Sequence, residues 1–427
     1  MRPLIAIVLC ALLLGGAGKY AGNPYYDFSD SIIRVNTLDP KIPENGYLSQ
    51  LLSISGYDKE SNKYDPVSDR QVDVDFSKMK VVVAKEFILQ DAKKYRIILI
   101  NEAHNKPQNR LFTKSLLDGL HAEGYNVFMA EGIWQHNNID KRGYPVDSEG
   151  VLLNEPAYAS TLRYAKHKGY KIAAYDYNKN AEKKAHYWDD SIKLDKYGSM
   201  KYISYEPRDS SITYRDANGP SGYMMTSVRE QAQAANILNV IKNNPHSKFI
   251  IHVGYSHLDE GGPMMGSKLK QLLDGEDLLT INQADMRDTR PVVDINTHKK
   301  ITRSFFYLMQ DTVKNEYFRP EEGSVGDYVI FNSQVSDSLQ RPGYLFHDAE
   351  KRIVYQLPQK QLDNYPCLFE AYDATEYATA KQHAIAIDVV MVKDRKTPPP
   401  LLLYKGNYTV LKKKTDGTFE HFAVKMK

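Results

Sequence analysis

The chain contains ILINEAH at residues 98–104 and FIIHVGYSH at residues 249–257, two apolar segments that each end in a histidine-bearing turn. Apolar runs of this length, rich in β-branched residues and bounded by turns, are typical of strands buried on both faces of a sheet. In open α/β folds, ligands bind beyond the carboxyl ends of parallel strands. The two segments therefore predict one site, assembled from distant parts of the chain.

The segments around these two strands alternate between helical and extended patterns. A helix is predicted over residues 109–123 and a strand over 126–130. The same cycle recurs with a helix over 155–168 and a strand over 170–175, and again with a helix over 228–242 before the second histidine-tipped strand. This alternation predicts an α/β fold with a mainly parallel sheet flanked by helices.

The pattern changes along the chain and indicates its organisation. Short apolar strands separated by turn-rich stretches predict a β-rich C-terminal region, and a charged stretch at 177–222 reads as an insertion over the sheet. We predict a signal peptide over 1–18, a loop-rich lead-in over 19–79, an α/β domain over 80–300 and the β-rich region over 301–427.

The N-terminus and the composition bear on location and partners. Arg2 precedes an apolar run that ends in small residues near Gly18, a pattern typical of a cleaved export signal. The run is shorter than the roughly 20 residues of a membrane span, so no integral span is expected after cleavage and the protein is expected in the periplasm or outside the cell. The net charge of +3 on 427 residues argues against nucleic acid as a partner. Cys10 and Cys367 are the two cysteines, so cleavage leaves no intrachain disulfide.

Acidic and histidine side chains follow several of the predicted strands. Carboxyl ends of parallel strands meet at one edge of a sheet, and that edge would collect the following residues: Glu102, His104, Glu131, Asp176 and His257. Carboxylates and imidazoles in one cleft supply general acids and bases or metal ligands. Arginines at helix starts, Arg110 and Arg229, are suited to hold carboxylate or ester oxygens.

Each of these residues also has a structural interpretation. A single histidine at a strand end is often only hydrogen-bonded in place, and Asp176 is in a position to cap a helix. His252 lies within its strand and fits a buried core histidine, while Arg229 and Glu230 fit a solvated helix face. The repetition of acid or histidine after successive strands favours a functional cleft.

Two motifs resemble those of the erythromycin-esterase/ChaN/Tiki-like superfamily. The residues NEAH at 101–104 are similar to the Gly-Glu-x-His opening motif of that group, and GYSH at 254–257 is similar to its closing Gly-x-x-His. Further matches in type and order are Arg110, Glu131, Arg229, Glu230 and Asn236. The resemblance covers residues 80–285. The chain departs from the group at Asn101, where the group has glycine. Its Glu-x-His spacing is closer to the ChaN and Tiki branches than to true macrolide esterases, which carry an additional histidine where this chain has Gly254.

The superfamily includes hydrolases, metal-dependent proteases and haem-binding proteins, so the resemblance implies several functions. Our leading prediction is an exported hydrolase that acts on an ester or amide of a small-molecule or peptide substrate. Its predicted catalytic residues are Glu102, His104, Glu131 and His257. Its predicted substrate-binding residues are Arg110, Asp176, Arg229, Glu230 and His252. His104, His257 and Glu131 are also the candidate ligands of a divalent metal, Zn or Mn.

Two alternatives remain from the sequence. One is a haem- or iron-ligand-binding protein of ChaN type, with Tyr175 or Tyr223 supplying an axial oxygen. The other is a non-catalytic surface module whose β-rich C-terminal region binds glycans or partner proteins.

Overall fold

The structure is a computed structural model that describes residues 21–37, 45–65, 71–150, 152–176, 192–194, 200–202, 222–273, 278–287, 290–300, 306–320, 325–332 and 337–427. The predicted signal peptide and most of the insertion at 177–222 lie outside these ranges.

The described residues form helices and strands in an alternating order. The helices are α1 (Ser29–Thr37), α2 (Asn45–Ile54), α3 (Asp58–Lys63), α4 (Ala84–Asp91), α5 (Pro107–Ala122), α6 (Ile139–Arg142), α7 (Pro156–His167), α8 (Gly222–Lys242), α9 (Met265–Leu272) and α10 (Ala374–Ala380). The strands are β1 (Val72–Val74), β2 (Met79–Val83), β3 (Ile97–Glu102), β4 (Tyr125–Ala130), β5 (Lys171–Ala174), β6 (Ile192–Leu194), β7 (Met200–Tyr202), β8 (Lys248–Gly254), β9 (Leu278–Asn282), β10 (Val292–Asp294), β11 (Phe306–Asp311), β12 (Tyr328–Val329), β13 (Phe331–Asn332), β14 (Ile353–Tyr355), β15 (Cys367–Asp373), β16 (Asp388–Val392), β17 (Leu401–Leu403), β18 (Gly406–Lys413) and β19 (Phe419–Met426).

A six-stranded sheet forms the central layer, with the order β12-β9-β3-β8-β4-β5 and parallel pairing throughout. The chain runs from β3 outward through β4 to β5, then returns to insert β8 between β3 and β4 and to place β9 on the other side of β3. The two histidine-tipped strands thereby become direct neighbours. Their register pairs Glu102 with Gly254, so both motifs leave the sheet at the same level.

Helices cover both faces of this sheet, which explains why its strands are apolar throughout. Side chains of α5 and α7 pack with Ile98 and Ile100 on one face, and side chains of α8 and α9 pack with Ile97 and Leu99 on the other. The chain adds strands in one direction as far as β5 and then turns back across the sheet. Because crossovers between parallel strands are right-handed, helices formed before this reversal cover one face and helices formed after it cover the other. The predicted α/β class with a mainly parallel, helix-flanked sheet is confirmed.

Proline and glycine residues set the ends of α5 and α7, the helices beside the site. Pro107 and Pro156 occupy the first positions of α5 and α7, where the missing amide hydrogen has no cost. Gly124 and Gly169 follow the two helices with φ values of +88° and +92°, which favour glycine. The helix predicted over 109–123 therefore starts two residues earlier than expected and ends at Ala122.

The C-terminal region is β-rich, as predicted, and has its own antiparallel sheet of order β16-β15-β18-β19 beside the pair β14-β17. Residues of the N-terminal helices α1 and α2, including Ile32 and Leu52, pack against this sheet around Leu368 and Leu411. The extended stretch at 328–331, assigned from sequence to the C-terminal region, instead supplies β12 to the central sheet and β13 to a small sheet with β11 and β2. The amino-acid sequence of a short apolar strand contains no local signal that indicates which sheet the strand joins.

Within the described ranges, no helix has both the length and the apolar character needed to cross a membrane.

Candidate active site

The carboxyl edge of the central sheet is held together by the side chain of Asn101. Its Nδ2 donates to the carbonyl oxygen of Tyr255 at 2.6 Å, and its Oδ1 accepts from the backbone N–H of Gln283 at 2.7 Å. Asn101 thus connects the ends of β3, β8 and β9. The asparagine that replaces the glycine of the related motif serves as a structural link between three strands.

Glu102 and Arg110 form a buried, bidentate ion pair beneath the site. Arg110 donates from Nε to Oε2 of Glu102 at 2.6 Å and from Nη2 to Oε1 at 2.7 Å. Burial alone would raise the pKa of Glu102, but the Arg110 guanidinium, with His252 and His104, outweighs burial and lowers that pKa to about 2. Glu102 is therefore an ionised carboxylate at neutral pH.

His104 is the partly exposed member of this group. Its Nδ1 lies 3.0 Å from Oε1 of Glu102, and its side chain is 19% exposed. An ionised carboxylate accepts the Nδ1 proton, which leaves the lone pair on Nε2. The ring also contacts Tyr255 edge-on, with centroids 4.9 Å apart. His104 is thus an oriented imidazole whose Nε2 is directed away from the buried carboxylate.

Arg110 has a second carboxylate partner that the sequence prediction missed. Glu155 accepts from Nη1 of Arg110 at 2.9 Å and also caps α7 by accepting the backbone N–H groups of Ala157 and Tyr158. The guanidinium lies over the ring of Tyr158, 4.8 Å from its centroid. The N-terminus of α7 therefore fixes Arg110, which in turn fixes Glu102. The local signal was the Glu-Pro pair at 155–156, typical of a helix start.

Glu131 lies at the centre of a second cluster. It accepts from Arg229 and from the backbone N–H of Gly254, and its Oε1 is 3.4 Å from Nε2 of His257. Burial raises the pKa of Glu131, but the positive charges of His257 and Arg229 lower it well below its usual range. Glu131 therefore remains ionised and holds both cationic groups.

Arg229 is held by a second carboxylate at the end of β5. Its Nε and Nη2 donate to the two oxygens of Asp176, each at 3.0 Å. Asp176 also accepts the N–H of Gly132 at 2.9 Å and Nε2 of Gln233 at 2.8 Å. Gln233, missed from sequence, lies one helical turn after Arg229 and so shares its helix face. Arg229 keeps 29% of its side chain exposed, so its guanidinium reaches the cleft.

His257 is bound between two carboxylates. Its Nδ1 lies 2.8 Å from Oε2 of Glu230, which also accepts the N–H of Met265. Burial lowers the pKa of His257, but Glu131 and Glu230 outweigh burial and raise it to about 10. The Nε2 atom also lies 3.1 Å from Nη1 of Arg229, a contact that suits a neutral ring. We take the imidazolium as the resting form because three carboxylates, Glu131, Asp176 and Glu230, face one arginine and one histidine.

His252 does not reach the cleft. It is 1% exposed, and burial lowers its pKa to about 4, so the ring is neutral. Its Nε2 lies 3.6 Å from Oε2 of Glu102. The predicted substrate-binding position of His252 is therefore a core position behind Glu102, which agrees with the alternative structural interpretation.

The remaining predicted residues converge as expected on one sheet edge. The structure brings together two linked clusters, with Glu102, His104 and Arg110 in one and Glu131, Asp176, Arg229, Glu230 and His257 in the other. Gly254 joins the two clusters because its N–H binds Glu131 and its Cα faces the His104 ring.

The candidate metal ligands do not form a metal site. Over the described ranges, no group of three or more His, Cys, Asp or Glu side chains is arranged to hold a metal ion. The guanidinium of Arg229 lies between the candidates, in contact with both Glu131 and His257. Arg229 would repel a divalent cation bound at this position. The proposed mechanism therefore does not use Zn or Mn.

Tyr175, one of the two candidate axial tyrosines, is not free to bind haem. The hydroxyl of Tyr175 donates to the carbonyl oxygen of His252 at 2.9 Å, and the residue is fully buried. The side chain of Tyr223 lies outside the described part of α8. Haem binding stays a prediction, and Tyr175 is not placed to serve as its axial ligand.

Comparisons with known proteins give distant structural similarity. No protein-family model and no curated protein sequence matches the chain. The chain is similar to the type III effector HopBA1, with 11% identity, a TM-score of 0.31, and coverage of 63% of this chain and 99% of that one. It is similar to haem-binding ChaN of Campylobacter jejuni, with 9% identity, a TM-score of 0.37, and coverage of 61% and 99%. It is also similar to RRSP, a MARTX toxin effector domain from Vibrio vulnificus, with 17% identity, a TM-score of 0.30, and coverage of 52% and 38%. These similarities assign no activity to the chain.

Proposed function

We propose that the chain is a hydrolase of an ester or amide bond in which His104 is the general base. The observation that carries the proposal is the Glu102–His104 pair, with Nδ1 3.0 Å from a buried carboxylate and the side chain partly exposed. A carboxylate behind an imidazole fixes its tautomer and stabilises the imidazolium that forms during catalysis. The bidentate Arg110 contact holds that carboxylate ionised and in place.

The proposed reaction uses the second cluster as acid and anion-binding group. Water attacks the carbonyl carbon while Nε2 of His104 takes the proton from the water oxygen. The partly exposed side chain of Arg229 stabilises the oxyanion of the tetrahedral intermediate. His257, protonated between Glu131 and Glu230, then donates its proton to the leaving oxygen or nitrogen as the carbon bond breaks. The proton on His104 is returned to solvent, and His257 is reprotonated.

Two environments in one cleft support this division of roles. His104 contacts one carboxylate, Glu102, which Arg110 holds in place, whereas His257 contacts Glu131 and Glu230, which raise its pKa to about 10. A histidine held protonated between two carboxylates carries a proton that it can donate as a general acid.

The test is to replace His104 and His257 separately by alanine and to assay a panel of esters and peptides. We expect each variant to lose on the order of 100-fold or more in kcat/KM, the usual effect of removing an acid or base. His246→Ala is the matched control, since His246 is exposed and precedes β8 at the opposite edge of the sheet. Hydrolysis that is undiminished in both His104→Ala and His257→Ala would overturn the proposal.

We also propose that the chain belongs to the erythromycin-esterase/ChaN/Tiki-like superfamily and that it is exported. The motif residues that support membership, Glu102, His104, Glu131 and His257, lie together in the cleft. Export rests on the leader pattern before Gly18. Intact mass and N-terminal sequencing of the exported protein should locate cleavage near this residue, and an uncleaved N-terminus would contradict it.

A further inference from the structure

Tyr255 has a strained backbone at the edge of the cleft. It follows β8 directly and has a φ of +39°, in the left-handed region. A bulky residue is rare at positive φ because its Cβ atom approaches a backbone carbonyl oxygen. Such strain persists only where the surrounding structure enforces it, and it is concentrated at functional sites. The neighbours of Tyr255 therefore show what enforces the conformation and what it maintains.

Two residues from other segments enforce this conformation. Nδ2 of Asn101, at the end of β3, donates to the carbonyl oxygen of Tyr255 at 2.6 Å. The guanidinium of Arg287 lies 6.0 Å from the centroid of the Tyr255 ring, within the range of a cation–π contact. Arg287 is itself held by Asp65, to which Nη2 and Nε donate at 2.8 and 3.0 Å. The backbone and the ring of Tyr255 are therefore both fixed from outside its own turn.

The conformation maintains a contact between Tyr255 and His104. The two rings are nearly perpendicular, with an angle of 79° and centroids 4.9 Å apart, a favourable edge-to-face arrangement. The Tyr255 hydroxyl group also has a hydrogen-bonding interaction with the backbone of His104. The hydrogen bond from Nδ1 of His104 to Glu102 would by itself allow the imidazole to pivot about that bond. The Tyr255 ring, together with the backbone at Gly254, limits this rotation.

We propose that Tyr255 is a positioning residue that keeps Nε2 of His104 directed toward the substrate. The inference rests on the proposed role of His104 as the general base, since the orientation of this ring affects the rate only if Nε2 takes a proton. A relaxed φ at Tyr255 would turn its Cα–Cβ bond and move the ring away from His104. The strain is therefore required for the contact, and a small misplacement of a catalytic group lowers the rate by a large factor.

Three substitutions of Tyr255 test this role with the panel of esters and peptides. Tyr255→Leu removes the aromatic ring, and we expect kcat to fall about 10- to 100-fold while KM stays within about threefold. Tyr255→Phe keeps the ring and should retain kcat within about threefold. Tyr255→Gly removes both the ring and the strain. It should lose as much kcat as Tyr255→Leu, although its unfolding midpoint in urea should be no lower.

Leu339→Gly is the matched control for the relief of strain. Leu339 has a φ of +53° in the turn between Ser338 and Arg341, and its side chain is 49% exposed. Glycine relieves the positive φ there as it does at Tyr255. Because Leu339 has no part in the proposed chemistry, we expect this variant to retain kcat.

NMR relaxation of the His104 ring carbons tests the contact without any substrate. The ring should be as ordered in Tyr255→Phe as in the unaltered chain, and more mobile in Tyr255→Leu and Tyr255→Gly. Equal order in all four proteins would overturn the proposal. If the unaltered chain hydrolyses nothing in the panel, the hydrolase proposal fails, and the relaxation data still decide whether Tyr255 orients His104.

Two kinetic outcomes would also overturn the role of Tyr255. A raised KM with unchanged kcat in Tyr255→Leu would make the ring a surface that binds substrate. Recovery of kcat in Tyr255→Gly relative to Tyr255→Leu would show that the loss comes from strain in the variant and not from the missing ring.

Discussion

A Cβ atom on Gly254 would lie 2.3 Å from Cε1 of His104, closer than two carbon atoms approach without displacement. The backbone of β8 and the ring of the proposed base are thus in direct contact. Gly254 has a φ of −89°, which any residue adopts, so the requirement for glycine is one of space. Any side chain at this position is therefore incompatible with the arrangement seen here.

Gly254→Ala should therefore disable the site while leaving the fold intact. The added methyl group would also lie 2.7 Å from Oε2 of Glu131, so either the His104 ring or the Glu131 carboxylate must move. We expect a loss on the order of 100-fold in hydrolysis and about 1–3 kcal/mol in the free energy of unfolding. The control Gly406→Ala meets only ordinary contacts, the nearest at 3.5 Å. Equal activity in the two variants would contradict the proposed contact.

The imidazolium of His257 should make stability depend on alkaline pH. Its pKa is raised from 6.5 to about 10 in the folded protein. The proton therefore stabilises the fold fully below pH 6.5, and this contribution is lost as the pH rises through about 10. Urea unfolding across this range should show a decline on the order of a few kcal/mol. His257→Asn does not titrate and should remove the decline, whereas His246→Asn should keep it.

Glu102 predicts the opposite dependence at acid pH. Its pKa is lowered from 4.5 to about 2, so its contribution is present above pH 4.5 and is lost as the pH falls toward 2. Urea unfolding between these values should show a decline that Glu102→Gln reduces, with the remainder due to other carboxylates of lowered pKa such as Glu131. Glu86→Gln, on the exposed surface of α4, is the control and should retain the slope. A flat profile in the unaltered chain would mean that Glu102 is not held as an ion pair.

Glu155 should act as a positioning residue for the proposed base. Glu155→Gln removes one carboxylate from Arg110 and weakens the line of contacts to Glu102 and His104. We expect a loss of about 2 kcal/mol in stability and a shift in the NMR titration of the His104 ring. Glu376→Gln is matched, since Glu376 is buried against Arg163 away from the cleft. It should lose similar stability without shifting His104; the same titration in both variants would assign Glu155 a purely structural role.

Arg229→Lys should impair catalysis even though the substitution keeps the positive charge. The guanidinium contacts Asp176 through two nitrogens and also reaches Glu131 and His257, a geometry that one ammonium group cannot reproduce. We expect a fall in kcat of about 10- to 100-fold. Arg96 precedes β3 and donates to the carbonyl oxygens of Pro245 and Ser247, which precede β8. The control Arg96→Lys should retain kcat. Retained activity in both would remove Arg229 from the mechanism.

Absorption spectroscopy tests the alternative prediction that the protein binds haem. With Tyr175 buried and bonded to the carbonyl oxygen of His252, we expect no shift of the Soret band when haem is mixed with the protein. A shifted band that disappears in His104→Ala would instead make the cleft a haem site.

The acidic and histidine residues of the site could be found from sequence because each lies at or just beyond the end of a strand with a strong local signal. The apolar runs that form β3 and β8 are buried on both faces, so their ends and the residues just beyond them are recognisable from composition alone. Glu155 and Gln233 could not be found in this way. Their role comes from contacts with Arg110 and Asp176, which belong to other elements.

The amino-acid sequence by itself determined the α/β class, the strand ends and the residue types in the cleft, because burial and turns leave periodic, local patterns. Only the tertiary structure decided that β8 lies between β3 and β4, that 328–329 joins the central sheet, and that the N-terminal helices pack on the C-terminal sheet. It also decided the charge state of His257, which depends on Glu131 and Glu230. Such pairings depend on packing between segments far apart in the chain, for which no local pattern exists.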